Sequence, residues 1–262
     1  MERQGFLVTT EEVFKMNENP LKQIIAKQKA GEAVGIYSAC SANSYVIEAG
    51  HRMRKARQLL RFDRGYRQSG RPERRLHRHE APPTSTRWSL KMAKDIDLPE
   101  NMMILAGDHL GPLTWQKLPE AEAMKNSVEL VYQYARAGFT KIHLDTSMKV
   151  ADDAPGLSRA EVIARRGAQL YKAAMKGYEE LKAREARCNA SVFVIGSEVP
   201  IPGGATEAED TLAVTSPDAF RDTVSTYQRV WTEEGVGDGM KDVIAVVVQP
   251  GVEFGRRAGV RL

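Results

Sequence analysis

Five short, almost continuous apolar runs, separated by segments with helix-end signals, constrain the fold of this 262-residue chain most strongly. The runs predict strands at residues 34–39, 102–107, 140–145, 191–196 and 242–248. Strands this apolar are typical of a parallel sheet that is covered on both faces. Their alternation with helices predicts right-handed βαβ units and therefore an α/β fold.

Four segments between these runs begin and end with residues that favour helix termini, because proline fits the first turn, serine caps it and glycine follows the last turn. These helices start at Pro20 and end before Gly31, span 119–137 before Gly138, follow the capping box Ser158–Glu161, and run from Pro217 to near Gly235. A further strand between residues 40 and 100 gives six βα units, which predicts an incomplete, TIM-barrel-like (β/α)8 domain over residues 20–255. An N-terminal extension (1–19) precedes it and a tail (256–262) follows. An open doubly wound sheet is the alternative, although the chain has neither G-x-G-x-x-G nor a P-loop motif.

Composition excludes several classes of protein. Hydrophobic residues make up 42% of the chain, which is enough for a core and excludes global disorder. No apolar run approaches the roughly 18 residues of a membrane span, and the N-terminus lacks the apolar segment of a secretory signal. Two cysteines, Cys40 and Cys188, cannot form a disulfide framework. We therefore expect a soluble, cytoplasmic protein with no membrane partner.

Residues 51–90 form an anomalous basic segment, and its charge is concentrated in residues 51–80. Residues 51–80 contain 11 lysines and arginines against three acidic residues, so they carry +8 in a chain of net charge +4. A nucleic-acid patch usually interleaves aromatic residues or belongs to a known module. Residues 51–80 offer only Phe62 and Tyr66 and no such module, so we expect no nucleic-acid partner.

Polar residues follow the predicted strands, at the edge where α/β folds place their chemistry. Imidazole and carboxylate groups at these positions suit a divalent metal or proton abstraction next to a carbonyl, whereas capping and ion pairing are the alternative roles. Adjacent glycines let backbone N–H groups approach a phosphate, although a plain turn fits equally well. The candidates are His109, His143 and Asp145 for metal binding, Glu198 for metal binding or catalysis, Asp108 next to His109, and Gly203, Gly204 and Gln249 for the substrate or its phosphate.

Five stretches resemble one family in order along the chain: GIYSACSANSYVIEA (35–49), ILAGDHLGPLTW (104–115), ARAGFTKIHLDTSM (135–148), VIGSEVPIPGG (194–204) and VVVQPGVEFG (246–255). This family is the non-catalytic (Z) subunit of class II D-tagatose-1,6-bisphosphate aldolase. The resemblance implies a TIM-barrel-like fold and a catalytic aldolase subunit as partner, whose activity and stability the chain supports. Some relatives look like ketohexose-phosphate 4-epimerases, which leaves a metal-dependent epimerase as the alternative. The Asp-His pair is similar to that of class II aldolases, which implies that Asp108 is an acid/base and His109 a ligand of zinc or a similar metal.

The chain departs from this family between its first and third strands. The family has a strand and glycine loop there resembling IEATxNQVxQxGGYTGM, whereas residues 61–81 read RFDRGYRQSGRPERRLHRHEA. Permitted codons for these residues, read one nucleotide later, give GSIEATANQVDQNGGYTGMKP. We therefore interpret residues 61–90 as frameshifted translation. Because family members continue beyond the sixth strand, the resemblance also implies truncation. Charged residues in an inner strand are costly, so the frameshift hypothesis predicts that the chain as written folds poorly and is inactive, and that the two functions above belong to the intact sequence.

The frameshift hypothesis predicts the nucleotide sequence of the gene. Reading codons 50–95 should reveal the codons that the shifted translation requires, with family-like sequence in the adjacent frame. An intact reading frame in which those codons are absent would overturn the hypothesis.

Overall fold

The computed structural model describes residues 18–40, 43–57, 61–65, 90–98, 103–154, 159–185, 188–196 and 214–250. The elements are, in chain order, α1 (Pro20–Lys29), β1 (Tyr37–Cys40), α2 (Ser44–Arg57), β2 (Arg61–Gly65), β3 (Met103–Leu110), a 3-10 turn (Pro112–Trp115), α3 (Glu120–Arg136), β4 (Lys141–Leu144), α4 (Arg159–Arg184), β5 (Val192–Ile195), α5 (Pro217–Glu233), a second 3-10 turn (Gly237–Asp242) and β6 (Val243–Val246). Residues 90–95 are also helical. Among the described residues, no helix is long and apolar enough to cross a membrane.

The six strands form one sheet in which they follow their order along the chain, β1-β2-β3-β4-β5-β6. Every neighbouring pair is parallel. This sequential order is that of consecutive strands in a (β/α)8 barrel, whereas a doubly wound sheet reverses its order at a switch point. The TIM-barrel-like interpretation is therefore confirmed, and the doubly wound alternative is wrong.

Each of the five predicted strands overlaps an observed strand. The largest extension is in β3, which continues to Leu110 instead of ending at residue 107. The sixth strand, expected between residues 40 and 100, is β2, and its backbone pairs with β1 on one side and β3 on the other. The free-energy cost predicted for the charged side chains of β2 stays a prediction, because the structure describes the backbone of this strand and not its side chains.

Helix α1 closes the N-terminal end of the sheet through one asparagine. Asn19 caps the helix, since its side-chain oxygen accepts a hydrogen bond from the Leu21 N–H at 3.0 Å. Its amide group donates to the carbonyls of Thr140 and Ala190, both at 2.9 Å, which lie one residue before β4 and two residues before β5. Below the sheet, Leu21 and Ile24 pack in one cluster with Ile104, Ala106 and Val192. Asn19 therefore joins the helix to two strands while it is completely buried.

The main core lies between the sheet and helices α3, α4 and α5. Its largest fully buried side chains include Trp231, Tyr227 and Phe193. The indole N–H of Trp231 donates to the Ala164 carbonyl at 3.1 Å, which ties α5 to α4. Helices α3 and α4 approach closely at Gly177, where a Cβ atom would lie 2.5 Å from the Tyr132 carbonyl oxygen.

Replacing Asn19 with alanine should destabilise the chain by about 3 kcal/mol, because a cap contributes ~1 kcal/mol and each of two buried hydrogen bonds about as much. Asn43→Ala is the matched control. Asn43 also caps a helix, accepting from the Tyr45 N–H at 2.9 Å, but this bond is exposed. We expect the control to cost only ~1 kcal/mol. Urea unfolding followed by tryptophan fluorescence measures both values, and equal losses would contradict the bridging role of Asn19.

Candidate functional site

Strands β3 and β4 bring acid and imidazole groups to the same edge of the sheet. Asp108 and His109 lie at the end of β3, His143 lies in β4, and Asp145 follows it. Successive residues of a strand point to opposite faces, so Lys141, His143 and Asp145 share one face. All three are buried, as is Asp108, while His109 is partly exposed. The predicted pairs Asp108–His109 and His143–Asp145 are therefore brought together.

One oxygen of Asp108 contacts two groups on β4. The Lys141 ammonium donates to Oδ1 of Asp108 at 3.1 Å, and Nδ1 of His143 lies 3.2 Å from the same oxygen. Burial lowers the pKa of His143, and this effect outweighs the hydrogen bond to Asp108, which raises it. The ring is therefore neutral near pH 7. Its Nε2 atom is buried and has no hydrogen-bond partner among the described residues.

His109 makes the corresponding contact with Asp145. Its Nδ1 atom lies 2.9 Å from Oδ2 of Asp145, and Oδ1 of Asp145 accepts a hydrogen bond from the Ser147 hydroxyl at 2.7 Å. Burial alone would raise the pKa of Asp145, but the hydrogen bonds from His109 and Ser147 and the nearby His143 hold it below its ordinary value. Both carboxylate oxygens of Asp145 are thus engaged within the protein.

The backbone turns sharply where β3 ends. His109 has φ +51°, a left-handed conformation that a non-glycine residue adopts at a cost of about 1–3 kcal/mol. Two residues on, a Cβ atom at Gly111 would lie 1.6 Å from the Asp145 carbonyl oxygen, so this position requires glycine. The turn places the His109 ring 4.8 Å from the His143 ring, centroid to centroid.

Three of these residues have the geometry of a metal-binding group. Asp108, His109 and His143 each offer one ligand atom, and these atoms lie within 4.8 Å of one another. Metal-binding histidines usually donate their other ring N–H to a carboxylate, as the contacts to Asp108 and Asp145 allow here. The unpartnered Nε2 of His143 also fits a ligand role. Asp108 thus joins the two histidines in the group, while the predicted ligand role of Asp145 stays a prediction.

The remaining predicted site residues are separate from this group. Glu198, Gly203 and Gly204 lie outside the described residues, and their roles stay predictions. Gln249 follows β6, where its backbone N–H donates to the Thr215 hydroxyl at 2.8 Å. Its side-chain nitrogen is buried without a hydrogen-bond partner in the described part of the chain. Its predicted contact with substrate also stays a prediction.

Sequence reasoning missed Lys141. The segment TKIHLD is apolar enough to predict a strand, which draws attention to its polar C-terminal end. The signal was nonetheless present, since K-x-H-x-D places three ionisable residues on one face of the strand.

The lowered pKa of His143 predicts how stability depends on pH. A histidine that resists protonation when folded takes up a proton more readily when unfolded, so stability falls as the pH drops below about 6.5. The loss approaches about 1.4 kcal/mol for each unit by which the folded pKa is lowered. Denaturant unfolding in metal-free buffer should therefore show a free energy of unfolding that decreases from pH 8 to pH 5. His143→Gln should make this decrease smaller. An equal decrease in the variant would contradict a lowered pKa of His143.

Comparison with known proteins identifies the family. Residues 80–261 match the family model described as D-tagatose-1,6-bisphosphate aldolase subunit GatZ/KbaZ-like. The chain is 41% identical over 243 residues to the D-tagatose-1,6-bisphosphate aldolase subunit GatZ of Salmonella heidelberg (strain SL476), covering 89% of this chain and 54% of that protein. The GatZ subunit of Salmonella agona (strain SL483) gives the same identity and coverage.

A solved structure agrees with the fold. The crystal structure of a probable tagatose 6 phosphate kinase from Sinorhizobium meliloti 1021 has a TM-score of 0.66 and 32% identity, covering 86% of this chain and 51% of that one. The chain thus spans about half the length of the relatives it matches. The family match covers more than half of the chain and includes both strands of the candidate site. The chain belongs to the GatZ/KbaZ-like family of D-tagatose-1,6-bisphosphate aldolase subunits.

Proposed function

We propose that this chain is a non-catalytic subunit that supports the activity and stability of a class II tagatose-1,6-bisphosphate aldolase. The main support is that the chain is 41% identical, over 89% of its length, to proteins named as subunits of this aldolase. The partner is then the catalytic aldolase subunit. The pathway is cytoplasmic breakdown of galactitol, N-acetylgalactosamine or tagatose 6-phosphate.

The buried acid–imidazole group favours a second candidate, a metal-dependent 4-epimerase of ketohexose phosphates of the tagatose and fructose type. Support of another subunit requires a docking surface but no buried imidazoles. Here two histidines each contact a carboxylate, and the Nε2 atom of His143 is left without a partner in the described residues. Such an arrangement is costly to bury unless a ligand completes it.

The residues of this group divide into two roles under the proposal. His109 and His143 hold a divalent metal such as zinc, and Asp108 completes the ligand set or moves a proton as acid/base. Asp145 orients His109 through their 2.9 Å contact. When bound, the metal acts as a Lewis acid on a carbonyl or hydroxyl oxygen of the sugar phosphate.

One experiment separates the two candidates. The chain is mixed with the catalytic subunit of a class II tagatose-bisphosphate aldolase, and cleavage of tagatose 1,6-bisphosphate is measured over time at elevated temperature. We expect a higher rate and a longer half-life than for the catalytic subunit alone. The double variant His109→Gln/His143→Gln should retain this effect, since docking does not use these buried rings.

The same preparations, incubated with zinc and tagatose 6-phosphate alone, test the epimerase candidate. The epimerase candidate is established if the wild-type chain forms fructose 6-phosphate and the double variant forms it at least a hundredfold more slowly. His51→Gln is the matched control, because His51 is also a buried histidine but lies on helix α2. The accessory proposal fails if the chain neither co-elutes with the catalytic subunit nor prolongs its activity.

A further inference from the structure

Lys141 is a buried lysine that neither the sequence analysis nor the proposed function uses. Its side chain is 6% exposed, and its ammonium lies 3.1 Å from Oδ1 of Asp108. Burying a lysine is expensive unless it is paired, and Asp108 is a described partner. Because the same Asp108 oxygen also lies 3.2 Å from Nδ1 of His143, the ion pair reaches directly into the candidate metal site.

The His143 ring can use Nδ1 in only one of two ways. If Nδ1 carries the proton, it donates to Asp108, 3.2 Å away. If Nδ1 is bare, it accepts from the His109 backbone N–H, 3.4 Å away, and the proton moves to Nε2. These two contacts exclude each other in a neutral imidazole, since one ring nitrogen is a donor and the other an acceptor.

Two observations favour the proton on Nδ1. A hydrogen bond to an ionised carboxylate is about twice as strong as one between neutral groups, and the Asp108 contact is also the shorter of the two. The opposite tautomer would leave an Nε2–H donor buried without a described partner, so that its desolvation would be uncompensated. The Nδ1–H tautomer instead leaves a lone pair on Nε2, which is what a divalent cation requires.

We propose that Lys141 is a positioning residue that fixes this tautomer. Its ammonium holds Oδ1 of Asp108 against His143, so that the oxygen accepts the ring N–H and Nε2 keeps its lone pair for a cation of the zinc or cobalt class. The use of this tautomer for metal binding rests on the proposed function, whereas the tautomer itself does not require a bound metal.

Nitrogen NMR of the metal-free chain with 15N-labelled histidine tests the proposal directly, because protonated and bare ring nitrogens have well-separated chemical shifts. His143→Gln assigns the signals. We expect wild-type His143 to be almost entirely the Nδ1–H tautomer, and Lys141→Met to give a mixture of both. Lys172→Met is the matched control, since Lys172 pairs with Glu234 at the same 3.1 Å distance but is exposed; it should leave the His143 signals unchanged.

A second variant keeps the test valid if Lys141→Met does not fold. Lys141→Met/Asp108→Asn removes both buried charges together, so it leaves no unpaired ion, and we expect it to fold with mixed His143 tautomers. Wild-type His143 in the Nε2–H tautomer, or a pure Nδ1–H tautomer in every folded variant that lacks Lys141, would overturn the proposal.

Cobalt titration then separates this proposal from the function on which it rests. We expect Lys141→Met to bind cobalt about tenfold more weakly than wild type, as is usual when a residue behind a metal ligand is lost. If the wild type shows the Nδ1–H tautomer and Lys141→Met the mixture, yet neither binds cobalt, the positioning role of Lys141 stands and the metal site of the proposed function fails.

Discussion

The parallel pairing of β3 with β4 determines the positions of the acid and imidazole groups in the candidate site. The register of the two strands shifts between Gly107 and Leu110, and Asp108 and His109 are the two residues inside this shift. Irregularities of this kind re-aim side chains and are common next to active sites. Here the shift coincides with the left-handed backbone of His109. It directs Asp108 toward His143 in β4 and His109 toward Asp145, which follows β4. A regular strand would send Asp108 and His109 to opposite faces.

Charge balance explains how so many ionisable groups remain buried at this edge. Asp108 pairs with Lys141, while Asp145 pairs with His109 and with Ser147. Each carboxylate thus has a donor from a neighbouring segment, so that neither depends on water. The two carboxylates and one ammonium leave the group with a formal charge of −1 when both histidines are neutral. This net negative charge favours the divalent cation that we propose for the site.

The fold could be predicted from the sequence, because parallel strands that are covered on both faces are apolar along almost their whole length. The grouping of Asp108, His109 and His143 could also be predicted, because residues at the ends of neighbouring parallel strands meet at one edge of the sheet, whereas their roles stay predictions. The sequence was insufficient for β2, since RFDRG has no apolar pattern and is held between its neighbours by backbone pairing. Nor could it reveal the Asp145–His109 contact, which depends on the register shift and the backbone turn and on no local pattern. Lys141 was accessible to sequence reasoning through its spacing from His143.

The bridge made by Asn19 has a consequence for the order of folding. Its contacts span 121 residues to Thr140 and 171 residues to Ala190. During synthesis, α1 emerges before the described strands but cannot complete its docking until the segment that contains Ala190 has been made. Ten residues are too few for a stable isolated helix, so this segment has to wait for its partners. Contacts of such high sequence separation slow folding and leave apolar surface open to chaperones or aggregation during the delay. Helix α1, which precedes β1 along the chain, is therefore among the last described elements to join the fold.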